Sequence, residues 1–265
     1  MCRVLFAVGE GREMKPLLDA LVKASENDPY RAARGKEGRH EDGWGYLAFR
    51  DGRLEHYRSR KAIFNDLESV QRLRDSLDGF TILLAHSRAA SQGSKGMFNV
   101  QPFAFSTRRG FSFWLYHNGD LDRKRLIELG EFEESDLEHA SDSYILGAYL
   151  CRKLRAPKKD ELLGKYSGVI PAVTTSLNTG ALFLSGDSLL GFVTAYSKPT
   201  YLLRRENWEY VRQIVLKGNS LFAVASSTLE LYHKADWENA INGTAFYVEI
   251  DPEEGRFEVE SLIMG

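Results

Sequence analysis

Cys2 is the residue whose type and position most directly suggest chemistry in this sequence of 265 residues. Removal of the initiator methionine would leave its thiol and a free α-amino group on the same residue. An α-amine has a pKa of about 7.7 to 8.0 and a thiol one of about 8.5, so near neutral pH the amine can accept the thiol proton directly or through water. The resulting thiolate can attack an amide carbonyl. The other role open to Cys2 is that of a small buried residue at the start of a strand.

Two further segments place polar groups directly after apolar runs. Arg88 follows the run from Phe80 to Leu84, which predicts a buried strand, and its guanidinium can bind a carboxylate through two hydrogen bonds or pair with a local acid. Asn118 and Gly119 end the segment FWLYHNG. An Asn-Gly pair is typical of a tight turn, but its side-chain amide and backbone N–H can also stabilise a developing oxyanion.

The segment Ser141-Asp142-Ser143 precedes a stretch of helical periodicity, so Ser141 or Asp142 is predicted to cap that helix. A carboxylate at such a cap can also face a substrate ammonium.

Hairpins and helices must position these residues. Four pairs of β-rich runs, each broken by two to five turn-forming residues, predict hairpins: YLAF with RLEHY, FAFS with FSFWLY, ALFL with LLGFVTAY, and TAFYVEI with RFEVESLIM. Apolar residues recur at three and four positions in five predicted helices: Met14 to Ala24, Asp66 to Leu77, Asp122 to Leu129, Asp142 to Leu154, and Asn207 to Ile214. This grouping favours an α+β fold of one domain, residues 1–265, with helices covering the outer faces of antiparallel sheets.

Composition narrows the function classes. Hydrophobic residues make up 43% and the formal net charge is -2, so the chain can bury a core and has no overall charge that would attract nucleic acid or a membrane. Two cysteines and the lack of a long apolar segment favour a reducing cytoplasmic location. The six histidines form no metal-binding spacing, so we expect no metal and no cofactor. The expected partner is a small molecule or a protein.

Six motifs in a fixed order, MCR, HEDGWGYLAF, LAHSRAAS, NVQPF, YHNGDL and SDSY, together resemble the class II glutamine amidotransferases of the N-terminal-nucleophile hydrolase superfamily, in their stand-alone glutaminase-domain form. The resemblance runs from Cys2 to about Tyr144 and continues more loosely to the C-terminus. It implies a four-layer αββα sandwich, in which two antiparallel sheets lie between helical layers.

The resemblance also implies roles for individual residues. It makes Cys2 the nucleophile and its α-amine the base, Asn118 and Gly119 the oxyanion donors, and Arg88 and Asp142 the partners of the glutamine α-carboxylate and α-ammonium. In addition, two residues of the LAHSRAAS motif, His86 and Ser91, are assigned to substrate binding. Cys2 would then attack the side-chain amide of glutamine, release ammonia and leave a glutamyl thioester for water to cleave.

Two positions depart from the family pattern: Gln101 stands where a histidine is usual before Pro-Phe, and Tyr144 where an acidic residue is common. They bear on substrate selectivity. A γ-glutamyl amide of another small molecule is therefore an alternative substrate, and a non-catalytic subunit that binds an amino acid is an alternative function. Any synthase that accepts the ammonia is expected on a separate chain.

Overall fold

The computed structural model describes residues 1–265 and contains thirteen strands and seven α-helices. The strands are β1 (Arg3–Glu10), β2 (Trp44–Arg50), β3 (Arg53–Ser59), β4 (Phe80–Ser87), β5 (Phe103–Ser106), β6 (Phe111–Asn118), β7 (Asn178–Ser185), β8 (Ser188–Ala195), β9 (Gln213–Lys217), β10 (Leu221–Ser226), β11 (Glu238–Asn239), β12 (Thr244–Asp251) and β13 (Arg256–Ile263). The helices are α1 (Gly11–Glu26), α2 (Pro29–Ala32), α3 (Leu67–Ser76), α4 (Arg123–Gly130), α5 (Asp142–Lys153), α6 (Lys159–Ser167) and α7 (Arg205–Val211).

The strands form two antiparallel sheets. The order is β11-β9-β10-β1-β4-β2-β3 in the seven-stranded sheet and β13-β12-β8-β7-β6-β5 in the six-stranded sheet. Strands β1 and β4 run antiparallel with Arg3 opposite Ser87. Because the start of β1 meets the end of β4, this register brings Cys2 next to Arg88.

The apolar residues of the core form three clusters. In β1, Val4 and Phe6 belong to the apolar cluster between the two sheets, whereas Leu5 belongs to the cluster that packs against α1 and α3. On the other sheet, Phe113 of β6 belongs to a third cluster, shared with α4, α5 and α6. Successive side chains of a strand point to opposite faces, so each sheet has apolar residues on both sides. The result is helix, sheet, sheet and helix, and the predicted four-layer α+β sandwich is confirmed.

The four predicted hairpins are confirmed as β2 with β3, β5 with β6, β7 with β8, and β12 with β13. The predicted helix from Asn207 to Ile214 is wrong in its last three residues, because α7 ends at Val211 and Ile214 lies in β9. There Ile214 packs into the core as a strand residue, paired with Ala225. None of the helices combines the length and the apolar composition that a membrane crossing needs.

Candidate active site

Cys2 lies at the start of β1 with 7% of its surface exposed. Its sulfur accepts a hydrogen bond from the backbone N–H of Ala89 at 3.4 Å, and it lies 3.8 Å from the Ala89 carbonyl oxygen. Its backbone nitrogen donates to the side-chain oxygen of Asn118 at 2.7 Å. The loop after β4 and the end of β6 therefore meet at Cys2.

Met1 is buried beside Cys2, with 6% of its surface exposed. Its ammonium donates to the Ala89 carbonyl at 3.3 Å, and its own carbonyl accepts from the Tyr210 hydroxyl at 2.6 Å. Burial lowers the pKa of this ammonium, with Asp120 acting in the opposite direction. While Met1 is attached, the nitrogen of Cys2 belongs to a peptide bond and cannot act as a base.

Asn118 and Gly119 stand where β6 ends. Asn118 uses Oδ1 for the Cys2 nitrogen, and its amide nitrogen Nδ2 makes no hydrogen bond within the protein. Gly119 packs so tightly that a Cβ atom there would lie 1.8 Å from the Ser176 carbonyl oxygen. Only glycine fits this close backbone approach. The Asn118 side chain is thus held at the Cys2 backbone nitrogen, and the Gly119 backbone lies against Ser176.

The ring of His117 links the end of β6 to two neighbouring segments of the chain. Its Nε2 lies 3.0 Å from the Ser176 carbonyl oxygen and its Nδ1 lies 2.9 Å from the Ser143 hydroxyl. A carbonyl can only accept, so Nε2 donates to the Ser176 carbonyl oxygen. The end of β6 is in this way tied to the start of α5.

Arg88 is buried directly beside this corner. Its Nη2 donates to the carbonyl oxygens of Gln92 at 3.3 Å and Ser94 at 3.0 Å, which fixes the loop after β4. Its Nη1 is buried without a hydrogen-bond partner. A buried guanidinium nitrogen without a partner is costly, and a carboxylate would satisfy it.

Asp142 is buried at the start of α5, whereas Ser91 is exposed on the loop after β4. Ser141 caps α5 by accepting from the Tyr144 nitrogen, and Asp142 Oδ2 accepts from the Leu121 nitrogen at 2.8 Å. Burial raises the pKa of Asp142. Ser91 is exposed, and its hydroxyl donates to Asp120.

His86 lies apart from these residues, in the space between the sheets. It is fully buried, neither ring nitrogen has a hydrogen-bond partner, and its ring centroid lies 6.5 Å from that of Tyr116. Burial lowers the pKa of His86 well below its ordinary value, with Arg88 adding to the effect. The imidazole is therefore neutral, and its predicted contact with substrate stays a prediction.

A buried ionic network behind Cys2 was missed by the sequence reasoning. Arg3 donates to the Cys2 carbonyl and the Tyr210 carbonyl, both at 3.1 Å, and pairs with Asp28 at 2.6 Å. His40 Nε2 lies 2.8 Å from the same Asp28 oxygen. The available signal was the charged residue Arg3 immediately before the apolar run of β1.

Burial and neighbouring charges shift the pKa values of Asp28 and His40. Burial alone would raise the pKa of Asp28, but Arg3 and His40 outweigh it, and the pKa is lowered. Burial lowers the pKa of His40 to about 4, although its bond to Asp28 opposes the shift. At neutral pH the network therefore consists of a guanidinium, a carboxylate and a neutral imidazole, which is a balanced buried set.

The two departures from the family pattern have structural roles. Gln101 Oε1 accepts from the His117 nitrogen at 2.7 Å. Tyr144 packs against Phe98, Phe103 and Phe105. Neither side chain is in hydrogen-bond contact with Cys2. No group of three or more histidine, cysteine or acidic side chains converges to hold a metal ion.

Comparisons with known proteins identify relatives of about half of this chain. No model of a known protein family matches the chain. It is 26% identical over 137 residues to an amidophosphoribosyltransferase of Staphylococcus epidermidis and 25% identical over 134 residues to one of Staphylococcus aureus. These alignments cover 51% of this chain and 26% of each relative, so the chain spans about a quarter of the length of the curated relatives it matches.

Solved structures match the whole chain. The glutamine phosphoribosylpyrophosphate amidotransferase of B. subtilis is covered over 49% of its length, at a TM-score of 0.61 and 17% identity. A glutamine aminotransferase class-II domain protein of Silicibacter pomeroyi is covered over 100% of its length, at a TM-score of 0.53 and 15% identity. The chain has the fold of a class II glutamine amidotransferase domain. The resemblance predicted from the six motifs is thereby confirmed.

Proposed function

We propose that this chain hydrolyses the side-chain amide of glutamine, with Cys2 as the nucleophile once Met1 has been removed. The observation that carries the proposal is the 2.7 Å hydrogen bond between the Cys2 nitrogen and Asn118 Oδ1. This bond uses the Asn118 oxygen and leaves its Nδ2 donor free for the oxyanion in the proposed reaction. The nucleophile and the base would then both belong to Cys2, and one oxyanion donor would belong to Asn118, which is bonded to the Cys2 nitrogen.

The reaction follows from these positions. The freed α-amine of Cys2 takes the thiol proton, and the thiolate attacks the amide carbon. Asn118 Nδ2 and the Gly119 N–H stabilise the oxyanion, and ammonia leaves with the proton returned by the amine. Water then cleaves the glutamyl thioester by the same route and releases glutamate.

The charged ends of the substrate have candidate partners in the same corner. The buried Nη1 of Arg88, which lacks a partner, would bind the α-carboxylate. The Asp142 carboxylate would accept from the α-ammonium, because an adjacent cation favours its charged form over the neutral form that burial favours. We further propose that Ser91, whose hydroxyl donates to Asp120, contacts the substrate.

A second candidate is a binding subunit without catalysis. It is the function expected if Met1 is retained, because the Cys2 nitrogen then stays in a peptide bond. Because relatives of the chain are named amidophosphoribosyltransferases, we also propose that a separate protein uses the ammonia. In either case we propose a cytoplasmic location, where both free thiols stay reduced.

Glutamate release from glutamine tests the proposal. The Cys2→Ala variant should lose all measurable turnover while its circular dichroism spectrum and melting temperature stay unchanged. Cys151→Ala is the matched control, because Cys151 is the other free cysteine and its thiol makes its hydrogen bond to the Ser106 carbonyl, away from Cys2. Undiminished turnover in Cys2→Ala, or equal losses in both variants, would contradict the proposal.

A further inference from the structure

Met1 fills a small apolar pocket that the predicted substrate contacts do not use. Its side chain belongs to a separate cluster with Tyr210 and Val211, against which Tyr30, Tyr201 and Leu202 also pack. This cluster is distinct from the three clusters that form the core of the sandwich. The polar groups that reach the Met1 sulfur are the neutral hydroxyls of Thr175 and Ser176, at 3.5 and 3.9 Å.

The pocket is contiguous with the nucleophile. The Met1 nitrogen and the Cys2 sulfur both contact the carbonyl oxygen of Ala89, at 3.3 and 3.8 Å. Removal of Met1 therefore opens a space of methionine size directly beside the thiol. An apolar space next to a reacting centre is suited to an apolar part of the substrate.

The amino-acid end of the substrate has its partners elsewhere. The guanidinium of Arg88 lies against the loop after β4, and the Asp142 carboxylate lies at the Leu121 nitrogen. The Asp120 carboxylate acts on the Met1 ammonium, at the backbone end of the residue. The aromatic and aliphatic walls around the Met1 side chain are left for the other end of the amide.

We propose that, after Met1 is removed, this pocket binds an apolar substituent on the amide nitrogen, so that the preferred substrates are γ-glutamyl amides of apolar primary amines. The inference rests on the proposed function and names its substrate class. The Cys2 sulfur forms a bond to the γ-carbonyl carbon, the C–N bond breaks, and the amine leaves with the proton held by the Cys2 α-amine. Water then cleaves the thioester and gives glutamate. Glutamine is the unsubstituted member of the series.

A homologous series of γ-glutamyl alkylamides, from methyl to butyl, tests the inference on protein whose loss of Met1 has been verified by intact mass. Each added methylene that enters the pocket should raise kcat/KM about fourfold, the equivalent of burying one CH₂ group. The butylamide should thus exceed the methylamide by more than tenfold. A ratio near one in the wild-type protein would overturn the inference.

Variants of the pocket wall separate this effect from general damage, because a ratio of two substrates cancels any loss of active protein. Leu202→Trp should fill the pocket and lower the butyl-to-methyl ratio at least tenfold. Leu203→Trp, at the neighbouring residue that is 84% exposed, is the matched control and should leave the ratio unchanged. If Leu202→Trp does not fold, Val211→Thr keeps the shape, adds a hydroxyl and should lower the ratio several-fold.

The outcomes distinguish the two proposals. If no amide is cleaved and Cys2 is never acylated, the proposed function fails. If glutamine and all alkylamides are cleaved at equal rates, or the ratio is the same in Leu202→Trp and wild type, the proposed function stands and the pocket inference is overturned.

Discussion

Asn118 illustrates how one side chain can serve two steps of the proposed reaction. Its amide oxygen accepts from the Cys2 nitrogen at 2.7 Å, which leaves its amide nitrogen free to donate to the reacting carbonyl in the proposed reaction. Because the amide group is planar, fixing one end fixes the other. The same hydrogen bond would orient the α-amine after processing, since Oδ1 can accept from an amine as well as from a peptide N–H.

Replacement of Asn118 tests the oxyanion role. Asn118→Ala removes the donor and should lower kcat by about 10² to 10³. Asn118→Asp keeps an acceptor for the Cys2 nitrogen but replaces the donor by a carboxylate, so it should be at least as damaging. Steady-state kinetics with glutamine decide the matter, and an Asn118→Asp variant with wild-type kcat would exclude the role.

The Tyr210 hydroxyl lies at the peptide bond between Met1 and Cys2. It donates to the Met1 carbonyl at 2.6 Å, and that oxygen is separated from the Cys2 nitrogen by only the carbonyl carbon. Loss of Met1 would leave the hydroxyl beside the new α-amine, where it can accept one N–H while Asn118 accepts the other. The lone pair of the amine would then face the thiol. Arg3 stacks on the Tyr210 ring at 4.2 Å and fixes its position.

Tyr210→Phe retains the ring and removes only the hydroxyl. We expect kcat to fall about tenfold with little change in KM, because one hydrogen bond to the base is lost. Tyr232→Phe is the control, since its hydroxyl donates to the Asn27 carbonyl, on a different part of the surface. Similar kinetics in the two variants would show that the Tyr210 hydroxyl does not act on the base.

At the scale of the elements, hairpins could be predicted and long-range pairs could not. The β2–β3 turn contains Asp51 and Gly52, both with positive φ, and such turns leave a local signature in the sequence. In contrast, α6 has no strong periodic signal and is fixed by burial of Leu162 and Tyr166 against the second sheet. Likewise Arg3, Asp28 and His40 come from β1 and the segments around α2, so only the fold reveals that they meet.

The Arg3–Asp28–His40 network predicts a dependence of stability on pH. The folded-state pKa of His40 is about 4, below the ordinary value near 6.5, so the unfolded chain binds the extra proton first as pH falls. The contribution of His40 to the free energy of unfolding is therefore fully present above about pH 6.5. It is lost progressively towards pH 4, by an amount of order 3 kcal/mol. Asp28, whose pKa is lowered, adds its own loss only at still lower pH.

Urea unfolding at pH 7.5, 6.0 and 4.5 measures this slope. His40→Gln should be less stable than wild type at pH 7.5 but should lose less stability on acidification. His86, whose pKa is also lowered by burial, should retain part of the slope in that variant. A His40→Gln protein with the full wild-type slope would show that His40 does not control the transition.

At the scale of the whole molecule, the order of six motifs was sufficient to predict the sandwich. The roles of Cys2, Arg88, Asn118 and Gly119 in one site stay predictions. The burial of Met1 was not predictable from the sequence. It depends on Tyr210 and Val211, more than 200 residues away along the chain, which close over the first residue only in the folded protein. The full burial of His86 between the sheets was likewise not predictable from its motif, and its contact with substrate stays a prediction.

The most direct test of the account is the intact mass of the untagged protein before and after exposure to a glutamine-like diazo-ketone. We expect a mass that lacks Met1, followed by a single covalent adduct that peptide mapping assigns to Cys2 and that is absent from Cys2→Ala. Protein that retains Met1 quantitatively, or that loses Met1 and yet carries its adduct on Cys151 or nowhere, would contradict the assignment of Cys2 as an N-terminal nucleophile.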